Sequence, residues 1–186
     1  QVECVPSLRT WTSDREARSG GLLLLLPTEQ GWVLLSSTVV VPAYVAWFLI
    51  RRGPKLFAIW IWYSPPGRLR EHTACVQEYF DKYPAAGGMA HELLLVADAN
   101  VPGVVFERTT PLWNLAQRTW RHLLQGQSLH EIPNGDRAHL PLPTFVQGTE
   151  SFIDVAWACP RDGAYWTWHR AHVPAQRLPG GHRPMT

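Results

Sequence analysis

The chain has 186 residues, enough for one domain with a sizeable core, and 46% of them are hydrophobic against 17% charged, which excludes a disordered chain. Its net charge of +2 is too small to imply nucleic-acid or membrane binding by itself. Cys4, Cys75 and Cys159 lie far apart without a CxxC pair, which argues against a disulfide framework or a Cys-based zinc site and for a reducing cytoplasm.

In chain order, Gly20 to Ser37 reads as a hairpin, with "LLLLLP" and "WVLLSS" flanking the turn-forming "TEQG". Val39 to Ile50 follows as a buried strand. Residues 31 to 50 carry no charge and precede Arg51 and Arg52, the arrangement of a transmembrane helix with a positive flank. The β-branched run Thr38 to Val41 and the interrupting Pro42 suit strands better. "RRGP" turns into a second apolar strand, "KLFAIWIWYS", which Pro65-Pro66-Gly67 stops. On it Trp60 and Trp62 share one face, and Ile59, Ile61 and Tyr63 the other. From Arg68 to Lys82, Leu69, Thr73, Val76, Phe80 and Tyr83 recur at helical spacing.

"HELLLVADA" reads as a near-continuously apolar strand covered on both faces. "VPGVVFERTT" reads as an edge strand, and Thr109-Thr110-Pro111 as the cap and first turn of a helix running to about Gln125. Its apolar residues form two stripes, one through Leu115 and Leu123, the other through Trp120 and Leu124. Residues 126 to 150 read as a Pro/Gly/His-rich loop. "SFIDVAWACPRDGAYWTWHRAHV" reads as a hairpin across Arg161-Asp162-Gly163, followed by a basic tail to residue 186. Residues 1 to 125 then form the core of an α/β fold, a three-layer sandwich with a mixed central sheet and a C-terminal hairpin.

The run from "VVVPAYVAWFLIRRGPKLFAIWIWYS" through the helix to "ELLLVADA", preceded by "WTSDREARSG", resembles the restriction-endonuclease-like core found in plasmid replication-relaxation and other mobile-element proteins. That family places an acidic residue after the proline that opens one strand, and an acidic residue and a lysine on the next. Here Ala43 follows Pro42, and Trp60 and Trp62 occupy the second strand. The resemblance therefore implies a scaffold that has lost its Mg²⁺ carboxylates and binds DNA or a partner protein in a plasmid, mobile-element or defence setting, with no cofactor.

The alternative is an active Mg²⁺-dependent nuclease using Asp98, Glu107, Asp14 or Glu16. Asp98 stands where α/β folds place function, at the carboxyl end of a buried strand, although such an Asp also caps turns. A further alternative is a membrane-anchored protein spanning near residues 31 to 50. Fifteen of the 17 basic residues are arginine, Lys55 and Lys82 being the exceptions, and arginine offers a planar fork to phosphate; GC-rich coding gives the same bias. Arg68, Arg70, Arg118, Arg121, Arg170, Arg177 and Arg183 are the candidate phosphate contacts. His169, His172 and His182 match no metal-site spacing and read as loop histidines. His72 and Cys75 lie one helical turn apart without the orienting third group that nucleophilic catalysis needs. No Gly-rich phosphate loop is present.

Overall fold

The computed structural model describes residues 2–6, 22–82, 92–101, 114–132, 145–147, 149–151 and 154–160. Strands β1 (Val2–Pro6) and β2 (Leu23–Pro27) pair antiparallel as a small sheet. Thr28–Gln30 then form a 3-10 turn closed by Gly31, which at φ 78° adopts the left-handed conformation glycine tolerates and donates its N–H to Thr28 O at 2.9 Å. The hairpin expected from Gly20 to Ser37 is not formed. This turn is a corner that carries the chain out of the small sheet into a larger one.

The larger sheet has six strands in the order β3-β4-β5-β6-β10-β7: β3 (Trp32–Val41), β4 (Val45–Arg52), β5 (Lys55–Tyr63), β6 (Glu92–Asp98), β7 (His130–Glu131) and β10 (Asp154–Pro160). The apolar run read as one strand from Val39 to Ile50 is broken at Pro42–Tyr44, where Tyr44 N–H donates to Val41 O at 3.0 Å and Ala43 sits at φ 63°. Only Pro42 among these residues is a turn former, so the hydrophobic pattern runs on across the reversal. The next reversal, at Gly53-Pro54, falls where "RRGP" places it and sets β4 beside β5.

Helix α1 (Leu69–Lys82) is the crossover between β5 and β6, the parallel pair of this sheet. Helix α2 (Leu115–Gly126) starts at Asn114 rather than at Thr109-Thr110. Asn114 Oδ1 accepts from Gln117 N–H and Gln117 Oε1 accepts from Asn114 N–H, both at 3.0 Å, a reciprocal capping box. Of the two stripes expected on α2, the one through Trp120 and Leu124 is buried, joined by Leu123, while Leu115 is 67% exposed. After α2, β7 pairs with β10 at the sheet edge, and β8 (Phe145–Gln147) with β9 (Thr149–Ser151) form a short hairpin.

Both helices cover one face of the sheet. There Trp60, Trp62, Leu93, Leu95 and Trp157 pack against Val76, Phe80, Trp120 and Leu124. Trp62 and Trp120 meet edge to face at 6.0 Å, as do Trp120 and Trp157 at 5.9 Å. Trp60 and Trp62 therefore share the helix face as the alternation requires. The opposite face carries Phe48, Ile50, Phe57, Ile59, Ile61 and Tyr63 under Leu22, Leu24 and Leu26 around β2, and Leu94, Val96, Ala156 and Ala158 beside Ile132. Among the described residues no helix is long and apolar enough to cross a membrane, and residues 31 to 50 lie in β3, the turn and β4.

Candidate functional site at the strand ends

The register across β5, β6 and β10 is unbroken, and it fixes which residues meet at the end of the sheet. Ile61 pairs with Val96, and Val96 with Ala156; two positions on, Tyr63 pairs with Asp98, and Asp98 with Asp154. Strand residues two apart share a face. An apolar row on the face away from the helices is thus followed by a polar row, Tyr63, Asp98 and Asp154, at the carboxyl ends of the two parallel strands.

The turns leaving the strands hold this row in place. Ser64 N–H donates to Asp98 O at 2.8 Å, extending the ladder by one bond, and Asn100, left-handed at φ 51°, donates from Nδ2 to Ser64 O at 2.9 Å. Asn tolerates that conformation better than most residues. Tyr63 N–H donates to Tyr44 O at 2.7 Å, tying the β3–β4 turn to the end of β5. Asp98 Oδ1 is shielded from solvent. Burial and then the Asp98 carboxylate raise the pKa of the Tyr63 phenol above 10.0, with Tyr44 adding a smaller effect. The phenol therefore stays protonated at neutral pH and can donate a hydrogen bond.

Behind the row, Ser64 and His72 are 0% and 2% exposed, and Ser64 Oγ lies 3.0 Å from His72 Nδ1. His72 stacks on Tyr44 at 5.0 Å. Burial, aided by Arg68 and opposed by Glu71, lowers the His72 pKa below 6.5, so the imidazole is neutral at neutral pH. Its partner is Ser64 rather than Cys75.

Among the described residues no group of three or more His, Cys, Asp or Glu side chains is placed to hold a metal ion. Mg²⁺ is commonly held by one or two carboxylates, with phosphate oxygens and water completing its shell, and Asp98 with its register partner Asp154 supplies residues of that type. Of the carboxylates singled out in the sequence, Asp98 lies in this row; Asp14, Glu16 and Glu107 lie outside the described residues. Asp154 went unnoticed because it opens an apolar strand far from Asp98 in sequence. Tyr63 and Asn100 carried no motif.

The arginines divide. Arg68 is bonded to Glu71 at 2.7 Å on the surface. Arg70 is exposed and lines a cavity of about 360 Å³ with Pro66, Asn100, Asn114 and Gln117. Arg118 is exposed on α2. Arg121 is half-buried over the Trp157 ring at 5.1 Å and lies 3.5 Å from Glu131, which commits it to the fold. Arg170, Arg177, Arg183 and the three tail histidines lie outside the described residues, as does the turn at Arg161-Asp162-Gly163.

No family model and no curated protein sequence matches the chain. Solved structures do. The endonuclease domain of TRAS1, a telomere-specific non-LTR retrotransposon, superposes with a TM-score of 0.67 at 15% identity over 99% of this chain and 76% of that one. A 3'-5' exonuclease from Neisseria meningitidis gives 0.63 at 13% identity over 99% and 78%. An endonuclease/exonuclease/phosphatase family protein from Bacteroides thetaiotaomicron gives 0.59 at 14% identity over 99% and 73%.

These likenesses overturn the restriction-endonuclease-like resemblance. A hairpin followed by one parallel crossover generates the order strand, strand, helix, strand in many α/β sheets, so that order does not identify one fold. The positions read as lost carboxylates are a turn residue, Ala43, and two core indoles facing the helices, Trp60 and Trp62. The chain has the endonuclease/exonuclease/phosphatase fold, a nuclease-like α/β scaffold.

Proposed function

We propose that the chain is a metal-dependent phosphodiesterase of nuclease type acting on nucleic acid, with its centre at the strand-end row. The observation that carries this reading is the register that sets Tyr63, Asp98 and Asp154 side by side on three neighbouring strands. Two acidic residues in register at the ends of neighbouring strands are the residue types a metal-dependent phosphodiesterase uses. Asp98 and Asp154 are the residues that would hold a divalent cation, which when bound supplies activation of water and neutralisation of phosphoryl charge.

The chain's own groups do the rest. Tyr63, protonated at neutral pH, donates a hydrogen bond toward a phosphate oxygen. Asn100 fixes the loop that follows Asp98 by its bond to Ser64 O. Ile61, Val96 and Ala156 form the apolar row beside the polar one on the same face, which lowers the local dielectric and strengthens polar contacts at the strand ends. Nucleic acid as substrate is supported by solved relatives of the same fold that are described as endonucleases and exonucleases.

The lost-carboxylate premise that favoured a non-catalytic scaffold goes with the fold that suggested it. What still favours that second reading is the lack, among the described residues, of a three-ligand acidic cluster. The test incubates folded protein with labelled single- and double-stranded DNA in Mg²⁺ or Mn²⁺, with and without chelator. Chelator-sensitive cleavage supports the proposal. Intact DNA bound with steep salt dependence would leave a binding scaffold in its place.

A further inference from the structure

Helix α1 presents an apolar stripe of Leu69, Thr73, Val76 and Phe80 to the sheet, and a histidine stands among them. His72 is as buried as its apolar neighbours, and burying a polar ring is costly unless it is bonded. It has two neighbours of consequence. Its Nδ1 meets Ser64 Oγ at 3.0 Å, and its ring lies on the Tyr44 ring at 5.0 Å and an interplanar angle of 30°. Each neighbour leads to the strand-end row. Ser64 follows Tyr63 in the chain and donates its N–H to Asp98 O, while Tyr44 accepts from Tyr63 N–H and lays its ring 5.9 Å from the Tyr63 ring.

We propose that His72 is a positioning residue for this site: from α1 it braces Ser64 and Tyr44, and through them it holds the Tyr63 ring in place at the end of β5. The inference rests on the reading of the row as a phosphodiesterase centre only for its effect on rate, not for its effect on Tyr63. A leucine at position 72 would fill the stripe and support neither neighbour. Among the described residues the imidazole has one polar partner, Ser64, and one ring partner, Tyr44. Both contacts suit the neutral form, in which Nδ1 either accepts from the Ser64 hydroxyl or donates to it, according to tautomer. Groups that act on the imidazole charge are Glu71 on its own helix and Arg68 just before it, with Tyr44 from the β3–β4 turn against its ring; Tyr63 and Asp98 lie one contact further on.

The experiment records by NMR, at fixed pH, the ring resonances of protein carrying ¹³C-labelled tyrosine, with the Tyr63 resonance identified by its loss in Tyr63→Phe. In His72→Leu the Tyr63 ring resonance is expected to move toward that of a free tyrosine, as its ring leaves the Tyr44 ring and gains water. In the cleavage assay kcat is expected to fall on the order of 10²-fold with little change in KM, the cost of a misplacement near 1 Å. An unchanged Tyr63 ring resonance in folded His72→Leu overturns the proposal. If that variant does not fold, Ser64→Ala, which removes the hydroxyl partner of His72 and leaves the helix stripe intact, decides: an unmoved Tyr63 ring resonance in folded Ser64→Ala overturns the proposal. A protein that cleaves nothing defeats the proposed function, while the Tyr63 ring resonance still decides the role of His72.

Discussion

Tyr63 and Asp98 are register partners at the carboxyl ends of two parallel strands, and the Asp98 carboxylate helps hold the Tyr63 phenol protonated. Burial is the larger cause and the carboxylate the second. Asp98→Asn is therefore expected to lower the Tyr63 pKa without returning it to 10.0, because the desolvation remains. Tyrosine Cζ NMR reads the shift directly, and a Tyr63 pKa unmoved by the substitution would separate the two residues.

His72 ties folding to pH. Its folded pKa lies below the unfolded value of 6.5, so the unfolded chain binds the proton first as pH falls. The stability that the neutral imidazole allows is full above about pH 6.5 and is lost as pH drops through the depressed folded value. Melting temperatures measured between pH 8 and pH 5, about 1.5 units either side of the unfolded value, should fall more in the unmutated protein than in His72→Leu. Equal slopes would show that other groups carry the acid sensitivity.

Trp120, 1% exposed, stands edge to face between Trp62 and Trp157. Trp120→Ala should cost about 3–5 kcal/mol, the range for truncating a buried large aromatic side chain. Its Nε1 has no acceptor among the described residues, so Trp120→Phe loses no hydrogen bond and should cost clearly less. Urea unfolding of both variants checks the order.

Much of the secondary structure was legible because it followed from local chemistry. The 14-residue helix α1 follows its apolar stripe, β6 its near-continuously apolar run, and the β4–β5 reversal its Gly-Pro. What was hidden depended on distant pairing. The corner at Gly31 looks like a hairpin turn in sequence, since nothing local says that β2 pairs with β1 rather than β3. The start of α2 was misplaced because Thr109-Thr110-Pro111 and Asn114 with Gln117 are both sound caps, and only the fold chooses between them.

The site was half legible. Asp98 could be singled out as an acid ending an apolar strand. Asp154 acquires meaning only when β10 lies antiparallel beside β6, a pairing across more than fifty residues of chain. His72 was noticed beside Cys75 in sequence, whereas its partner Ser64 lies eight residues back, across the turn that precedes the helix. Reading a lost site at Ala43, Trp60 and Trp62 depended wholly on a fold assignment that the strand order alone could not secure.

The most direct measurement is the rate of cleavage of end-labelled DNA in Mg²⁺ by the unmutated protein, Asp98→Asn, Asp154→Asn and the double variant, each shown to be folded by circular dichroism. If the two acids form one centre, each single substitution should slow cleavage by about 10²–10³-fold, and the double variant should be little slower than the worse single one, because groups that act as a unit are not additive. Cleavage at the full rate by Asp98→Asn, multiplicative losses in the double variant, or no cleavage by the folded unmutated protein with either Mg²⁺ or Mn²⁺ would contradict a catalytic centre at this row.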